Sequence, residues 1–435
     1  MPVIRRKNSF LVRILTVVFV AALIFLIVVL GSSYFDLDRL NFKLSYSTEK
    51  HTSSSAEPAA DLLNPLPDTL GCHKNIEVRM DKGIETVAIV FNLTGISIPV
   101  GLPNDHPYRK ETNDKFTDYQ QHDAVETARD LLKNGFWLDA MNMIPIYCTP
   151  FPSAGLVLDP GDGYYIRASG GKGVAEGREL VGRFIDALNR FYVDAEVEKY
   201  LAANDSIYQG VLAEVRKNLP DNKLICIMER YYRKENLSYT LVPSPLLPFS
   251  NGFGPRLQTE NGQKVFNIFG PQVSARNKAE FRFGYDSPGS INELCVHEFG
   301  HSFVNPCTET EENRAIIEKY SYLFEAVRKV MKKQGYPGWW TCVTEHIVRL
   351  GEIRIAYALG DPERAGRLRD RYVKGRKFIY LPALEEKIRE YESNRDRYPS
   401  FDDFVPELLE TFGRIEKPGW FDIIKDRLFG RPIYN

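Results

Sequence analysis

The chain has no surplus of positive charge. It carries 56 Lys+Arg against 57 Asp+Glu, for a formal net charge of -1. Nucleic-acid binders carry a basic excess or stripe, so that class is excluded as a partner. The six cysteines, Cys72, Cys148, Cys226, Cys295, Cys307 and Cys342, contain no CxxC pair, which excludes a cysteine-built zinc knuckle. Their pairing is not readable from spacing, although a bridge between Cys307 and Cys342 would tie together two helices proposed below. The Gly-rich stretch Gly161 to Gly177 lacks a phosphate-cradling pattern. Lys172 is followed by Gly173 rather than a hydroxyl residue, and no glycine precedes Gly171 by five positions. It reads as a flexible loop. No internal repeat is visible, and only 7 histidines occur. Of these, His51, His73, His106 and His122 stand alone, with surface or capping roles expected.

What is present is a folded composition, with 43% hydrophobic, 12% aromatic and 26% charged residues. Arg5, Arg6, Lys7 and Arg13 precede the uncharged run Ile14 to Leu30. That order places the N-terminal end in the cytoplasm and sends the rest across an inner membrane. The run is either an uncleaved anchor or a cleaved signal peptide ending near Gly31. No cysteine follows it closely, so a lipoprotein is excluded. Both readings put the remainder outside the cytoplasm, in the periplasm or exported. Residues 32–70 are polar and Pro/Ser-rich and read as a linker. Residues 71–245 are expected to form a mainly helical lobe and residues 246–435 a second lobe, with the Pro/Gly-rich stretch Pro243 to Pro255 between them.

Within the first lobe, Ile76 to Leu93 fits either a strand pair or a helix. Helical spacing marks Asp118 to Asn134, Leu180 to Phe191 and Ile207 to Leu219. Val265 to Phe269 and Glu280 to Tyr285 read as short strands. Helices are then expected over Asn292 to Phe303, Glu309 to Gln334, Trp339 to Leu359, Pro362 to Lys374 and Pro382 to Glu392.

The chemistry concentrates at His297-Glu298-Phe299-Gly300-His301. Histidines at i and i+4 lie one turn apart on one helix face, where both imidazoles reach a single ion. Glu298, beside the first ligand, is placed to act as general base on an ion-bound water. Val296, Phe299, Gly300 and Phe303 are uncharged, as a buried helix requires, and Ser287-Pro288-Gly289-Ser290 supplies a helix start. Position 304 is Val and position 307 is Cys, so the three-histidine extension of the motif is absent. A third ligand must come from another helix. Trp339 to Leu359 is mostly apolar yet carries Glu345, His346, Arg349 and Glu352. Glu345 is the favoured ligand, with His346 and Glu352 as alternatives. Arg349 would fix its neighbour or an incoming carboxylate, and His346 would otherwise stabilise an oxyanion. Tyr320 and Tyr322 are phenolic candidates for which core packing is the default.

The run Val296 to Pro306 resembles the signature of the DUF4932 family of bacterial, Bacteroidetes-type proteins. Phe116 to Leu132, Phe184 to Tyr192, Glu345 to Arg349 and Tyr391 to Arg395 are similar to other family segments, so the likeness runs from Lys74 to Phe412. The resemblance implies a zincin-type zinc metallopeptidase. It supports His297, Glu298, His301 and Glu345 in the roles above and adds weight to His346 and Arg349. The expected fold is therefore α+β and predominantly helical. It has a zincin-like catalytic lobe whose small sheet flanks the HExxH helix, a helical lobe ahead of it, and one N-terminal membrane or signal segment. The expected function is a membrane-anchored, extracytoplasmic zinc peptidase with Glu298 as general base, acting on peptide or protein substrates. A zinc hydrolase of another envelope amide such as peptidoglycan stands beside it, as does a tethered binding protein with a structural metal site.

Overall fold

Side chains on one strand, Gly262–Phe269, point alternately into two cores, and this strand organises the molecule. In the computed structural model, residues 74–97, 104–277 and 281–416 are described. The tail, apolar run and linker expected within residues 1–70 lie outside them, as do His51 and His73. Among the described residues no helix is long and apolar enough to cross a membrane.

The described residues are mostly helical with one small mixed sheet. Its strands are β1 (Ile76–Val78), β2 (Ser238–Pro243), β3 (Gly252–Phe253), β4 (Arg256–Thr259) and β5 (Gly262–Phe269). β1, β2 and β5 are parallel neighbours, while β3 and β4 lie antiparallel along the other side of β5. The sheet thus draws strands from both sides of residue 245. Side chains two apart on a strand share a face. Val265 and Phe269, with Tyr239 and Leu241 of β2, enter one apolar core. Phe266 and Ile268, with Val242, enter the other.

The second core is filled by α1 (Lys82–Leu93), α2 (Asp123–Lys133) and α3 (Val174–Asp194). The ambiguous stretch Ile76 to Leu93 is a strand followed by a helix, separated by Asp81. This residue caps α1 by accepting from the amides of Gly83 and Ile84 at 2.9 and 3.2 Å. α2 starts later than its apolar spacing suggests, because the His122 ring accepts from the Ala124 amide and caps it there. His106 caps Pro107–Lys115 in the same way.

The first core holds α4 (Lys223–Tyr232), α5 (Pro288–Glu309), α6 (Trp339–Ala358) and α7 (Leu381–Ser393). α5 is fixed by its aromatic residues. Phe299 meets Tyr239 of β2 edge-on at 5.0 Å, and Phe303 stacks on Tyr232 of α4 at 4.6 Å. Full burial of each such ring contributes about 1.5–3 kcal/mol. Pro306 inside α5 has no N–H for the Ser302 carbonyl. Gln263 of β5 fills that gap, donating its side-chain amide to Ser302 O at 3.3 Å.

Three expectations differ. The stretch Gly161 to Gly177, expected as a loop, holds the short helix Asp162–Ala168 and the first turn of α3. Residues 281–285 of the Glu280 to Tyr285 stretch form no strand. The Phe283 and Tyr285 amides donate to the Glu214 carboxylate instead of to a neighbouring strand, and Gly284, at φ +84°, turns the chain. The single helix expected over Glu309 to Gln334 is broken into Glu311–Lys319 and Phe324–Lys333 by a tight turn at Ser321–Leu323.

Candidate metal centre

α5 and α6 pack side by side, and the contact brings three side chains from their facing surfaces together. The His301 Nε2 lies 3.5 Å from Glu345 Oε1, and His297 Nε2 lies 3.9 Å from Glu345 Oε2. One ligand atom from each of His297, His301 and Glu345 can be chosen so that all lie within 4.8 Å of one another. Glu345 is buried, and its Oε2 has no hydrogen-bond partner. A buried carboxylate oxygen left bare beside two imidazole nitrogens is a donor set that could hold a metal ion.

The rest of the site orients these donors. Burial works against the charge on Glu352, but Arg349, His297 and Tyr372 outweigh it and hold its carboxyl at about 2. A carboxylate only accepts, so His297 Nδ1–H donates to Glu352 Oε1, at 2.9 Å. At His301 the partner atom is an amide oxygen, which also accepts, so Nδ1–H donates to Asn305 Oδ1 at 3.0 Å. Both rings thereby present Nε2 lone pairs to the same point. Tyr372, in the π-helical turn Arg371–Gly375, donates its phenol to the second oxygen of Glu352. Arg349 Nη1 donates to Glu352 Oε1 at 2.7 Å, and its Nη2 lies 3.8 Å from Glu345 Oε2. Glu345 is disfavoured as an anion by burial, yet His301, His297 and Arg349 draw its carboxyl below the usual range. Tyr336 also reaches Glu345.

Glu298 sits on the sheet side of this cluster, its Oε1 4.0 Å from His297 Nε2. Two glycines at the β3 edge make room for it. A Cβ at Gly252 would lie 2.8 Å from Glu298 Oε1, and one at Gly254 would lie 3.1 Å from Oε2. The carboxylate is thus held between the edge strand and the first histidine, close to the donors without being one of the three.

A family model described as a domain of unknown function (DUF4932) matches residues 76–411, from β1 to the end of the last long helix. The chain belongs to the DUF4932 family. No curated protein and no solved structure matches it.

Of the residues singled out in this DUF4932 chain, His297, Glu298, His301, Glu345, Arg349 and Glu352 converge. Glu352 supports a ligand rather than standing among the three clustered donors. Arg349 holds carboxylates of its own helix. His346 is not brought to the cluster. One residue beyond Glu345, it is rotated by about 100° on α6 and packs against Phe378 and Tyr380. Its Nδ1–H donates to Cys342 O at 2.7 Å, and burial pulls its pKa down to about 4. Tyr320 donates to Glu410 and is likewise elsewhere. The Cys307–Cys342 bridge does not form. Both are free thiols, and Cys307 is engaged with Phe303 O and the Asp402 carboxylate, each at 3.0 Å.

Sequence reasoning did not find Asn305, Tyr372, Tyr336 or the two glycines. Asn305 was within reach, since it stands one turn beyond His301 on the same helix. The others come from distant segments and leave no local signal.

Proposed function

We propose that this protein is a membrane-anchored, extracytoplasmic zinc peptidase. The observation that carries the reading is the convergence of His297, His301 and Glu345 beside a glutamate that takes no part in the cluster. Zinc bonds of about 2.0–2.1 Å in a tetrahedron separate adjacent ligand atoms by roughly 3.3 Å. The pairs at 3.5 and 3.9 Å, one to each oxygen of Glu345, are near that spacing, and one atom from each residue falls within 4.8 Å of the others, a spread that small side-chain shifts would close around an ion. Two imidazoles and one carboxylate also leave a fourth position open, as catalytic sites do.

When bound, zinc would supply a water of lowered pKa and polarise the substrate carbonyl. Glu298 takes the proton of the attacking water and returns it to the leaving nitrogen. Glu352 and Asn305 keep the two rings in the tautomer that leaves Nε2 free. β3 ends the sheet order next to Glu298, and an extended peptide can add to such an edge through main-chain hydrogen bonds. That favours a peptide over other amides. The Cys226 disulfide accords with an oxidising compartment, as does the basic-then-apolar N-terminal sequence.

The test uses the full chain in detergent. Zinc per chain should be near stoichiometric in wild type and Glu298→Gln, and lost in His301→Ala. Hydrolysis of a fluorogenic peptide set should fall by about 10²–10⁴-fold in Glu298→Gln. A folded wild type that takes up no zinc on reconstitution overturns the reading, and so does a Glu298→Gln variant that cleaves like wild type.

A further inference from the structure

The strongest unassigned feature is a cavity of about 490 Å³ between the start of α5 and the helix Pro362–Asp370. Its lining includes Gly289, Asn292 and Glu293 on one side and Arg364, Arg367 and Arg371 on the other. Glu293 is the one carboxylate among three guanidinium groups. It meets Arg371 at 2.9 Å. Arg364 reaches only the neutral amide oxygen of Asn292, also at 2.9 Å, and Arg367 lies 3.6 Å from the exposed Glu363, a screened surface pair. The cavity therefore keeps a positive balance and two guanidinium groups with donors to spare.

Its position relates it to the metal centre. Glu293 precedes His297 by one helical turn and Gly289 precedes it by two, so the cavity lies about 6–12 Å from the first ligand along the α5 axis. An extended peptide advances about 3.3 Å per residue, so two to four residues cover that axial separation. Arg371 joins the two regions, since it donates to the phenol of Tyr372 at 3.1 Å and that phenol donates to Glu352.

We propose that this arginine-lined cavity is an anion subsite that selects peptides bearing carboxylate side chains or a free C-terminus a few residues from the scissile bond. The assignment rests on the peptidase reading for its substrate but is tested by binding. The probes are two fluorescein-labelled, C-terminally amidated hexapeptides, Ala-Ala-Phe-Ala-Glu-Glu and Ala-Ala-Phe-Ala-Gln-Gln. Anisotropy is measured on the zinc-loaded full chain carrying Glu298→Gln, so that bound peptide is not consumed. The Glu peptide should bind at least tenfold more tightly than the Gln peptide. Adding Arg364→Gln and Arg367→Gln should erase that ratio. Adding Lys332→Gln and Lys333→Gln, which removes the same charge from an exposed helix end, should leave it intact. Equal affinities, no binding of either peptide, or a ratio that survives the arginine changes overturns the subsite. Failure of the peptidase reading shows separately, as wild type that binds the Glu peptide and leaves it uncut.

Discussion

Glu345 and Glu352 stand two turns apart on α6 and have different tasks, decided by which imidazole nitrogen each one meets. Glu345 faces the Nε2 side of both histidines, while Glu352 holds the Nδ1 of His297. Replacing Glu352 with Gln weakens the acceptor that sets the ring tautomer, and zinc affinity should fall by about 10–100-fold. Competition with a chromophoric chelator checks this, and an unchanged affinity would deny Glu352 its orienting role. The spacing of Glu345, Arg349 and Glu352 was legible from helix periodicity. Their division of labour was not, because it depends on the offset between α5 and α6. A second carboxyl is decided by burial. Glu85 on α1 is fully buried, accepts from Tyr208 at 2.9 Å, and is pushed by burial up to about 8. Below the ordinary glutamate value of 4.5 both folded and unfolded forms are protonated, and it costs no stability. Between there and pH 8 only the unfolded chain ionises freely, so its cost grows as pH rises, towards a ceiling on the order of 5 kcal/mol. Glu85→Gln should leave denaturant stability near pH 5 little changed and raise it at pH 8. An equal effect at both pH values would show that Glu85 is charged in the folded protein.

At the scale of elements, the site depends on how closely β3 approaches α5. A Cβ at Gly252 would lie 2.7 Å from Leu294 Cδ1 and 2.8 Å from Glu298 Oε1. Gly252→Ala should therefore displace the proposed base while leaving the His297, His301 and Glu345 donors in place. The expected outcome is a full zinc complement with peptide hydrolysis reduced by at least about tenfold, since roughly 1 Å of misplacement carries such penalties. Undiminished hydrolysis would mean that β3 does not set the position of Glu298. The helices α5 and α6 could be read from the sequence because their apolar residues and HExxH spacing are local. β3, only two residues long, could not, because its pairing with Ile268 and Phe269 is a property of the sheet. The strand expected at Glu280 to Tyr285 failed for a related reason. Its alternating Phe281 and Phe283 mimic a strand, but Glu214, from a separate helix, takes the amides.

Across the whole molecule, the two helices of the candidate metal centre are braced from behind by a buried ion pair. Arg354 of α6, 1% exposed, donates Nε and Nη2 to the two oxygens of Glu392 on α7 at 2.8 and 2.7 Å. Tyr231 of α4 adds its phenol to the same carboxylate at 3.0 Å. Next to this pair, Tyr391 donates to Tyr231 O, and Arg395 donates to Tyr231 O and Arg230 O. In the sequence, the segment Tyr391 to Arg395 stands out only by its likeness to a family segment. Its work, tying α4, α6 and α7 together, involves partners some 40 to 160 positions away and has no trace in local spacing. Glu392→Ala would take away the carboxylate that meets two donors of the buried Arg354, and breaking a buried pair from one side costs about 3–5 kcal/mol. The melting temperature should fall on the order of 5–10 °C, with zinc stoichiometry retained at room temperature. Replacing both partners with apolar residues, Arg354→Met with Glu392→Leu, removes the buried guanidinium along with the carboxylate and should recover most of the loss. If the double variant melts as low as Glu392→Ala, the pair supplies specific geometry to α6 rather than mutual neutralisation. Zinc affinity would then be expected to fall along with stability, since α6 carries both Glu345 and Glu352.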